Sequence, residues 1–326
     1  MPKALITGVT GQDGSYLTEF LLGKGYEVHG LVRRLDSIER SWLSKLSRDP
    51  GIHNKRLFFH PGDLTDFNSV RGVVEKTAPD EVYHLAAQSH VNRSFDDPHS
   101  TCDVTAMGTL RLLEAVRKMP IPARFFQASS SEIFGRPQNS PQTLETAIAP
   151  VNPYGVAKAF ATQMVQVYRS SFGLFASNGI LYNHESPRRG ENFVTKKVCH
   201  AAAAIKLGKQ NELLLGDTTA QRDWGHALDY VRGMWMTLQN SSAEDFIFAT
   251  GELHSVQEVV EIAFATLELD WRTHVKWDPS LLRPVEPRSL VGNPEKAEAV
   301  LGWKREFNFP GLIREMTLAE LELLSA

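Results

Sequence analysis

The sequence predicts an α/β protein: a doubly wound parallel sheet with a smaller, discontinuous α/β domain assembled from later segments. Two observations carry this. Short apolar runs alternate with stretches of helical period through the first half of the chain, and a glycine-rich turn lies between the first run and the first helical stretch. At 326 residues the chain is long enough for one large or two smaller domains with a full core.

Ala4-Leu5-Ile6 reads as the first strand, and Tyr16, Leu17, Phe20 and Leu21 recur at helical spacing after the turn. Further strands are predicted from Val28 to Val32, Arg56 to Phe59, Glu81 to Leu85, Arg124 to Ala128 and Phe175 to Leu181. Helical patterns separate several of them, as in Val70, Val73, Val74 and in Met107, Leu110, Leu113, Val116. Strands alternating with helices imply right-handed crossovers and a parallel sheet covered on both faces. Asp229-Tyr-Val-Arg232 and a strand at Phe246-Ile-Phe-Ala249 are expected to return the chain to this sheet. The first domain is placed at residues 1–182 and 226–250, the second at 183–225 and 251–326. Phe264, Leu267 and Leu269 read as core, Trp224 and Trp235 as packing anchors. Pro294 is expected to start a helix and Trp303 to sit inside a turn-rich cap.

The turn Gly8-Val9-Thr10-Gly11-Gln12-Asp13-Gly14 follows a strand and opens a helix, the context in which backbone N–H groups bind a pyrophosphate. Gly8 and Gly11 permit the tight turn and close phosphate approach, Gly14 the packing of helix on strand. Thr10, Gln12 and Asp13 lie between them as further candidate cofactor contacts. About 20 residues on, where an acid would accept from the ribose 2′-OH of NAD, stand Arg33 and Arg34. Two guanidiniums suit a 2′-phosphate and favour NADP, the alternative being two solvated surface arginines. Asp36 comes too late to replace the acid. Asp63 and Leu64 after the third strand suit the adenine edge, and Leu85-Ala86-Ala87-Gln88-Ser89 after the fourth can pass along the cofactor or simply pack strand on helix.

Tyr154-Gly-Val-Ala-Lys158 lies downstream of Ser129-Ser130-Ser131-Glu132. Four residues make about one helical turn, so Tyr154 and Lys158 share a face. An ammonium there is expected to favour tyrosinate and bring a phenol of ordinary pKa about 10 toward use as a base in hydride transfer. Pro153 suits the first helical position. Any helix can carry a Tyr and a Lys four apart, so the surrounding motifs decide the reading.

A net charge of −3 without a basic block argues against a nucleic-acid or membrane-surface role. The two cysteines, Cys102 and Cys199, are far apart and suit a reducing compartment. No leader is expected before Met1-Pro2-Lys3 and no run approaches membrane-spanning length, so a cytoplasmic protein is expected. The eleven histidines show no clustered-ligand spacing, and no metal site is predicted.

The glycine turn, with GxxGxxG in place of GxGxxG, resembles the short-chain dehydrogenase type. Together with Leu85-Ala-Ala-Gln-Ser89, Tyr154-x-x-x-Lys158 and Leu181-Tyr-Asn-His-Glu-Ser-Pro187 it resembles the extended members that modify nucleotide sugars. Gln127-Ala-Ser-Ser-Ser-Glu132, Asn183-His-Glu-Ser-Pro187, Phe193-Val-Thr-Lys-Lys197, Leu213-Leu-Leu-Gly216 and Arg222-Asp-Trp-Gly225 bring the likeness to the GDP-mannose 4,6-dehydratases over nearly the whole chain. The resemblance implies Tyr154 as base at the sugar 4-hydroxyl, Lys158 as its partner and a ribose ligand, Ser130 on the reacting oxygen and Glu132 as acid and base at C5 and C6. It puts His184 and Arg189 near NADP, and Asn183, Lys197 and Arg222 on the sugar diphosphate. Val194, Thr195, Leu215 and Gly216 fall near the guanine, Ser89 near the substrate, and Arg283 and Glu286 on the nucleotide ribose or phosphate.

A carboxyl two residues beyond the Ser130 hydroxyl separates a dehydratase from a reductase or epimerase using the same Tyr and Lys. Ser130 stands where the family usually has Thr, which keeps the hydroxyl and frees its rotamer. Ser100 replaces a common Tyr near the cofactor, Arg288 falls where relatives tend to be acidic, and Asp36 to Lys55 differs from segments that help build tetramers. A homodimer through the helix beginning at Tyr154, or a homotetramer, is expected. The expected reaction is conversion of GDP-mannose to GDP-4-keto-6-deoxymannose. Its rivals are the same chemistry on another GDP-sugar such as GDP-manno-heptose, 4-keto reduction or epimerisation, and a non-catalytic NADP-binding sensor or scaffold.

Overall fold

The computed structural model describes residues 1–281 and 290–325. In the first half, strands β1 (Lys3–Thr7), β2 (Glu27–Val32), β3 (Leu57–Pro61), β4 (Glu81–His84), β5 (Arg124–Ser130) and β6 (Ala176–Leu181) alternate with helices. These are α1 (Gln12–Gly23), α2 (Phe67–Thr77), α3 (Val91–Asp96), α4 (Pro98–Cys102), α5 (Gly108–Arg117) and α6 (Pro153–Phe172), with a π turn at Asp103–Met107 joining α4 to α5. The chain then builds β7 (Asn183–Glu185), α7 (Val194–Lys206), β8 (Leu213–Leu215), β9 (Gln221–Arg222) and β10 (Trp224–His226). It returns through α8 (Ala227–Gln239) and β11 (Phe246–Phe248). It finishes with β12 (His254–Ser255), α9 (Val256–Thr266), β13 (Val275–Trp277), α10 (Glu295–Leu301) and α11 (Phe309–Ser325).

Seven strands form one parallel sheet in the order β11-β6-β5-β4-β1-β2-β3. The winding reverses between β1 and β4, and the crevice beyond their carboxyl ends is where such sheets take ligands. Side chains alternate across the sheet, so Ala4 and Ile6 join a core with Leu17, Leu21, Tyr230 and Phe248, while Leu5 joins another with Val70, Leu112 and Phe125. A third core holds the second lobe: Val198 and Ala202 of α7, Val260 and Phe264 of α9, and Ile313 and Met316 of α11. Leu267 and Leu269 pack there as the pattern predicts.

Trp224 stacks on Phe309 at 5.9 Å, and Trp235 lies under the Lys24 ammonium at 3.8 Å, so both are packing anchors. Trp303 corrects its expectation. It is fully buried, donates its indole N–H to the Asp229 carbonyl at 2.7 Å and packs edge-on against Tyr230 and Phe248, inside the core of the main sheet. A hydrophobic ring with one donor is stable wherever that donor finds a carbonyl, and α8 supplies one.

Candidate active site

The glycine turn packs backbone on backbone. Gly8 has φ +72°, and a Cβ there would lie 2.8 Å from the Ala86 nitrogen; one on Gly14 would lie 2.3 Å from the Gly8 carbonyl oxygen. Gly11 caps α1 without a side-chain bond, which leaves the N–H groups of the first turn pointing into the crevice. These residues fit the pyrophosphate of a dinucleotide.

The side chains of the turn reach across to the segment after β6. Gln12 accepts from the Ser186 hydroxyl at 2.8 Å and donates to the His184 carbonyl at 3.1 Å. His184 faces acceptors on both sides: Nδ1 lies 2.7 Å from the Tyr182 carbonyl and Nε2 2.8 Å from Asp13 Oδ2. A neutral imidazole donates only once, so this geometry calls for the imidazolium. Burial pulls the His184 pKa down, but the Asp13 carboxylate outweighs it and holds the imidazole above its ordinary value. Burial likewise pushes Asp13 up, and His184 leaves it below the ordinary carboxylate range. Arg188, which sequence reasoning missed, reinforces the same junction by donating to both Glu19 oxygens and to Ser15 Oγ while lying 3.9 Å over the Tyr16 ring.

Of the two arginines after β2, Arg34 is closed on Asp36 by bonds of 3.0 and 2.7 Å, so Arg33 is the cation beside Asp63. Asp63 Oδ1 accepts from the Thr65 N–H and hydroxyl, and Leu64 is buried. Gln88 is tied by its side chain to both backbone groups of His90 and to the Thr101 hydroxyl, so it shapes the Leu85–Ser89 turn and leaves Ala86, Ala87 and the exposed Ser89 to line it.

Ser130 ends β5, and Glu132 follows in a 3-10 turn. Tyr154 and Lys158 lie in the first turns of α6, whose N-cap is Asn152 and whose first residue is Pro153, as expected. Both side chains are buried. The expectation that Lys158 draws the phenol toward neutrality is overturned. Burial dominates and pushes Tyr154 up to about 12, with the Ser130 hydroxyl the largest opposing influence and the Arg189 guanidinium a lesser one. Lys158 points its ammonium at the Ala128 carbonyl, 2.6 Å away, and its Nζ lies 5.9 Å from the Tyr154 ring centre. Burial depresses Lys158 itself to about 8. The Glu132 carboxylate accepts from Asn152 Nδ2 at 2.8 Å.

In the second lobe, Arg189 stacks 3.5 Å over the Phe193 ring, and its Nε is buried 3.0 Å from Glu185 without a well-aligned bond. Thr195 is buried with its hydroxyl 2.6 Å from Glu185, which turns it away from a ligand and makes it a support for that carboxylate. Val194 packs on the second-lobe core. Lys197 donates to the Leu214 carbonyl at 2.8 Å, beside buried Leu215; a Cβ on Gly216 would meet the Leu281 carbonyl at 2.9 Å. Asn183 begins β7 and Arg222 ends β9, strands of two separate two-stranded sheets, Asn183 pairing with Trp224 and Arg222 with His254. Arg283, Glu286 and Arg288 lie outside the described residues. Among the described residues no cluster of His, Cys, Asp and Glu is arranged to hold a metal, and no helix is long and apolar enough to cross a membrane.

A parallel sheet with this strand order, bearing Ser130, Tyr154 and Lys158 beside a carboxylate, has the architecture of an extended short-chain dehydrogenase/reductase. A family model described as GDP-mannose 4,6 dehydratase matches residues 5–316. The chain is 50% identical over 325 residues to GDP-mannose 4,6 dehydratase 2 of Arabidopsis thaliana, covering 98% of this chain and 87% of that protein. Among solved structures it resembles DesIV, a dTDP-glucose 4,6-dehydratase from Streptomyces venezuelae with NAD and TYD bound, at TM-score 0.85, 24% identity and coverage of 98% and 97%. It also resembles RMD from Pseudomonas aeruginosa complexed with NADPH, at TM-score 0.83, 23% identity and coverage of 99% and 100%. The chain belongs to the GDP-mannose 4,6-dehydratase family and is an enzyme of the hydro-lyase class.

Proposed function

We propose that the protein converts GDP-mannose to GDP-4-keto-6-deoxymannose with NADP as a catalytic hydride carrier. The observation that carries this reading is Glu132, a carboxylate held at the mouth of α6 beside Ser130 and Tyr154. A reductase or epimerase has no need of a second acid and base at that place. When held in the crevice, a nicotinamide would supply the hydride acceptor for C4 of the sugar and the hydride donor for C6. Tyr154 removes the proton of the C4 hydroxyl, and the Ser130 hydroxyl holds the same oxygen. The C4 ketone acidifies the C5 hydrogen, which Glu132 takes as a proton. Glu132 then passes a proton to the departing C6 hydroxyl, and water leaves. Once hydride has returned to C6, Tyr154 gives its proton back to C5, so one water is lost and the cofactor ends as it began.

Arg33 supports NADP over NAD, and the resemblance assigns His184 and Arg189, with Asp13 of the glycine turn, to the cofactor and Lys158 to its ribose. It likewise assigns Asn183, Lys197 and Arg222 to the sugar diphosphate and Leu215 and Gly216 to the guanine. Exposed Val156 and Val167 on α6 lie on one face, with exposed Phe95 and Met107 on the elements packed beside it, and this is the surface for a second copy in a cytoplasmic dimer. Mass spectrometry of GDP-mannose incubated with the protein and trace NADP tests the reaction: loss of one water per sugar without net cofactor reduction supports it, and unchanged sugar overturns it. Glu132→Gln is expected to stop water loss while sparing NADP binding, and retained dehydration refutes that residue's role.

A further inference from the structure

We infer that Asn152 is a positioning residue for Glu132 and sets the rate of water loss separately from the rate of C4 oxidation; the inference rests on the reading of Glu132 as acid and base. Asn152 is buried, with extended backbone before α6. Its Oδ1 accepts from the Gly155 N–H at 2.8 Å. That bond fixes which end of the amide faces the helix, because a backbone N–H requires an acceptor. The Nδ2 group must therefore point away from the helix, and it donates to Glu132 Oε2 at 2.8 Å.

The same turn grips Glu132 from behind. A Cβ on Gly155 would lie 2.7 Å from the Glu132 carbonyl oxygen, so the two backbones touch, and the Ser130 hydroxyl oxygen faces the Glu132 N–H at 3.3 Å. One carboxylate oxygen is thus pinned to the helix that carries Tyr154, leaving Oε1 to transfer the proton between C5 and the C6 hydroxyl. Ser and Asp cap helices about as well as Asn. Capping alone gives no reason for an amide, whereas holding a carboxylate from the cap position is served by a donor atom separate from the capping oxygen and reaching beyond it, which Asp lacks and the shorter Ser does not carry.

Asn152→Ser keeps a capping oxygen and loses the amide donor that reaches Glu132, so it is expected to melt close to the wild type, whereas Asn152→Asp keeps the cap, buries a second carboxylate against Glu132 and is expected to melt lower. In single turnover of the NADP-loaded enzyme with GDP-mannose, each should oxidise C4 at an undiminished rate and lose water roughly tenfold or more slowly, since misplaced catalytic groups forfeit about that much or more. The near-ultraviolet absorbance of the reduced nicotinamide then accumulates transiently. Asn152→Asp additionally sets a second carboxylate against Glu132 and is expected to slow water loss further than Asn152→Ser does. If Asp does not fold, Ser decides. Wild-type water loss in the folded variants, or equal slowing of both steps with no absorbance build-up, overturns the inference. Glu132→Gln run alongside separates the failures. If it blocks water loss while Asn152→Ser behaves as wild type, only the Asn152 role falls; if it dehydrates normally, the Glu132 reading falls and takes the inference with it.

Discussion

Replacing Asp13 with Asn removes one charge and keeps the shape, which isolates the ion pair with His184. At the observed 2.8 Å, an effective dielectric of about 20 gives a gross attraction of roughly 6 kcal/mol. The burial of both groups offsets several kcal/mol of it, so the pair's net contribution is modest. Without Asp13, the imidazolium has lost its charge partner; as a neutral ring it accepts at Nε2 from the introduced amide and exchanges a charge-assisted bond for a weaker neutral one. Either outcome costs about 1–3 kcal/mol, and about 2 kcal/mol is expected near pH 6. The sign follows from the shifts. His184 is raised, so its contribution is complete below the unfolded value of about 6.5 and is lost as pH rises through the folded value. Asp13 is lowered, so its contribution is complete above about 3.9 and is lost as pH falls through the folded value. The difference between wild type and Asp13→Asn is therefore largest between those limits and shrinks at alkaline pH. Urea unfolding at a series of pH values measures it. A difference that is flat with pH, or absent near pH 6, refutes the charged pair.

Gly14→Ala is expected to destroy the glycine turn, because the new methyl would lie 2.3 Å from the Gly8 carbonyl oxygen and 2.6 Å from the Val9 Cα, neither of which is a movable side chain. Loss of NADP binding by calorimetry, with insoluble expression as the extreme form, checks it. Lys158→Met is expected to stabilise the protein at pH 7 by about 2 kcal/mol, because burial has depressed the folded pKa to about 8. The unfolded chain binds the extra proton, so the wild type gains stability as pH rises from about 8 through about 10.4 and the variant's advantage fades over that window. Thermal melts across the window measure it, and an advantage constant with pH contradicts the reasoning.

Local pattern made much of the architecture legible. Short apolar runs located all seven strands of the sheet, and the position of the glycine turn between strand and helix identified the crevice. The Tyr154 and Lys158 spacing placed two side chains on one face because helix geometry is local. What stayed hidden depends on segments far apart in the chain. Asn152 could be read as a helix cap from its place before Pro153, but its bond to Glu132 crosses a loop that no period describes. The Asp13–His184 pair joins residues 171 apart, and Trp303 enters a core built mostly from the first 250 residues. The phenol's shift was misjudged for the same reason: the nearby cation is visible in the sequence, whereas the burial that outweighs it exists only after packing.

The return of α8, β11 and Trp303 to the main sheet also governs how the chain is made. As it leaves the ribosome, β6 is complete at residue 181, yet its neighbour β11 comes only at Phe246–Phe248 and the indole that seals their core at residue 303. Until β11 emerges, the Ala176–Leu181 strand is therefore an open sheet edge, the kind of surface that recruits other chains. Premature stops or ribosome pausing between residues 182 and 245 should be far more prone to aggregation than stops after Trp303, so the interleaved topology makes the nascent chain most vulnerable between the completion of β6 and the arrival of β11.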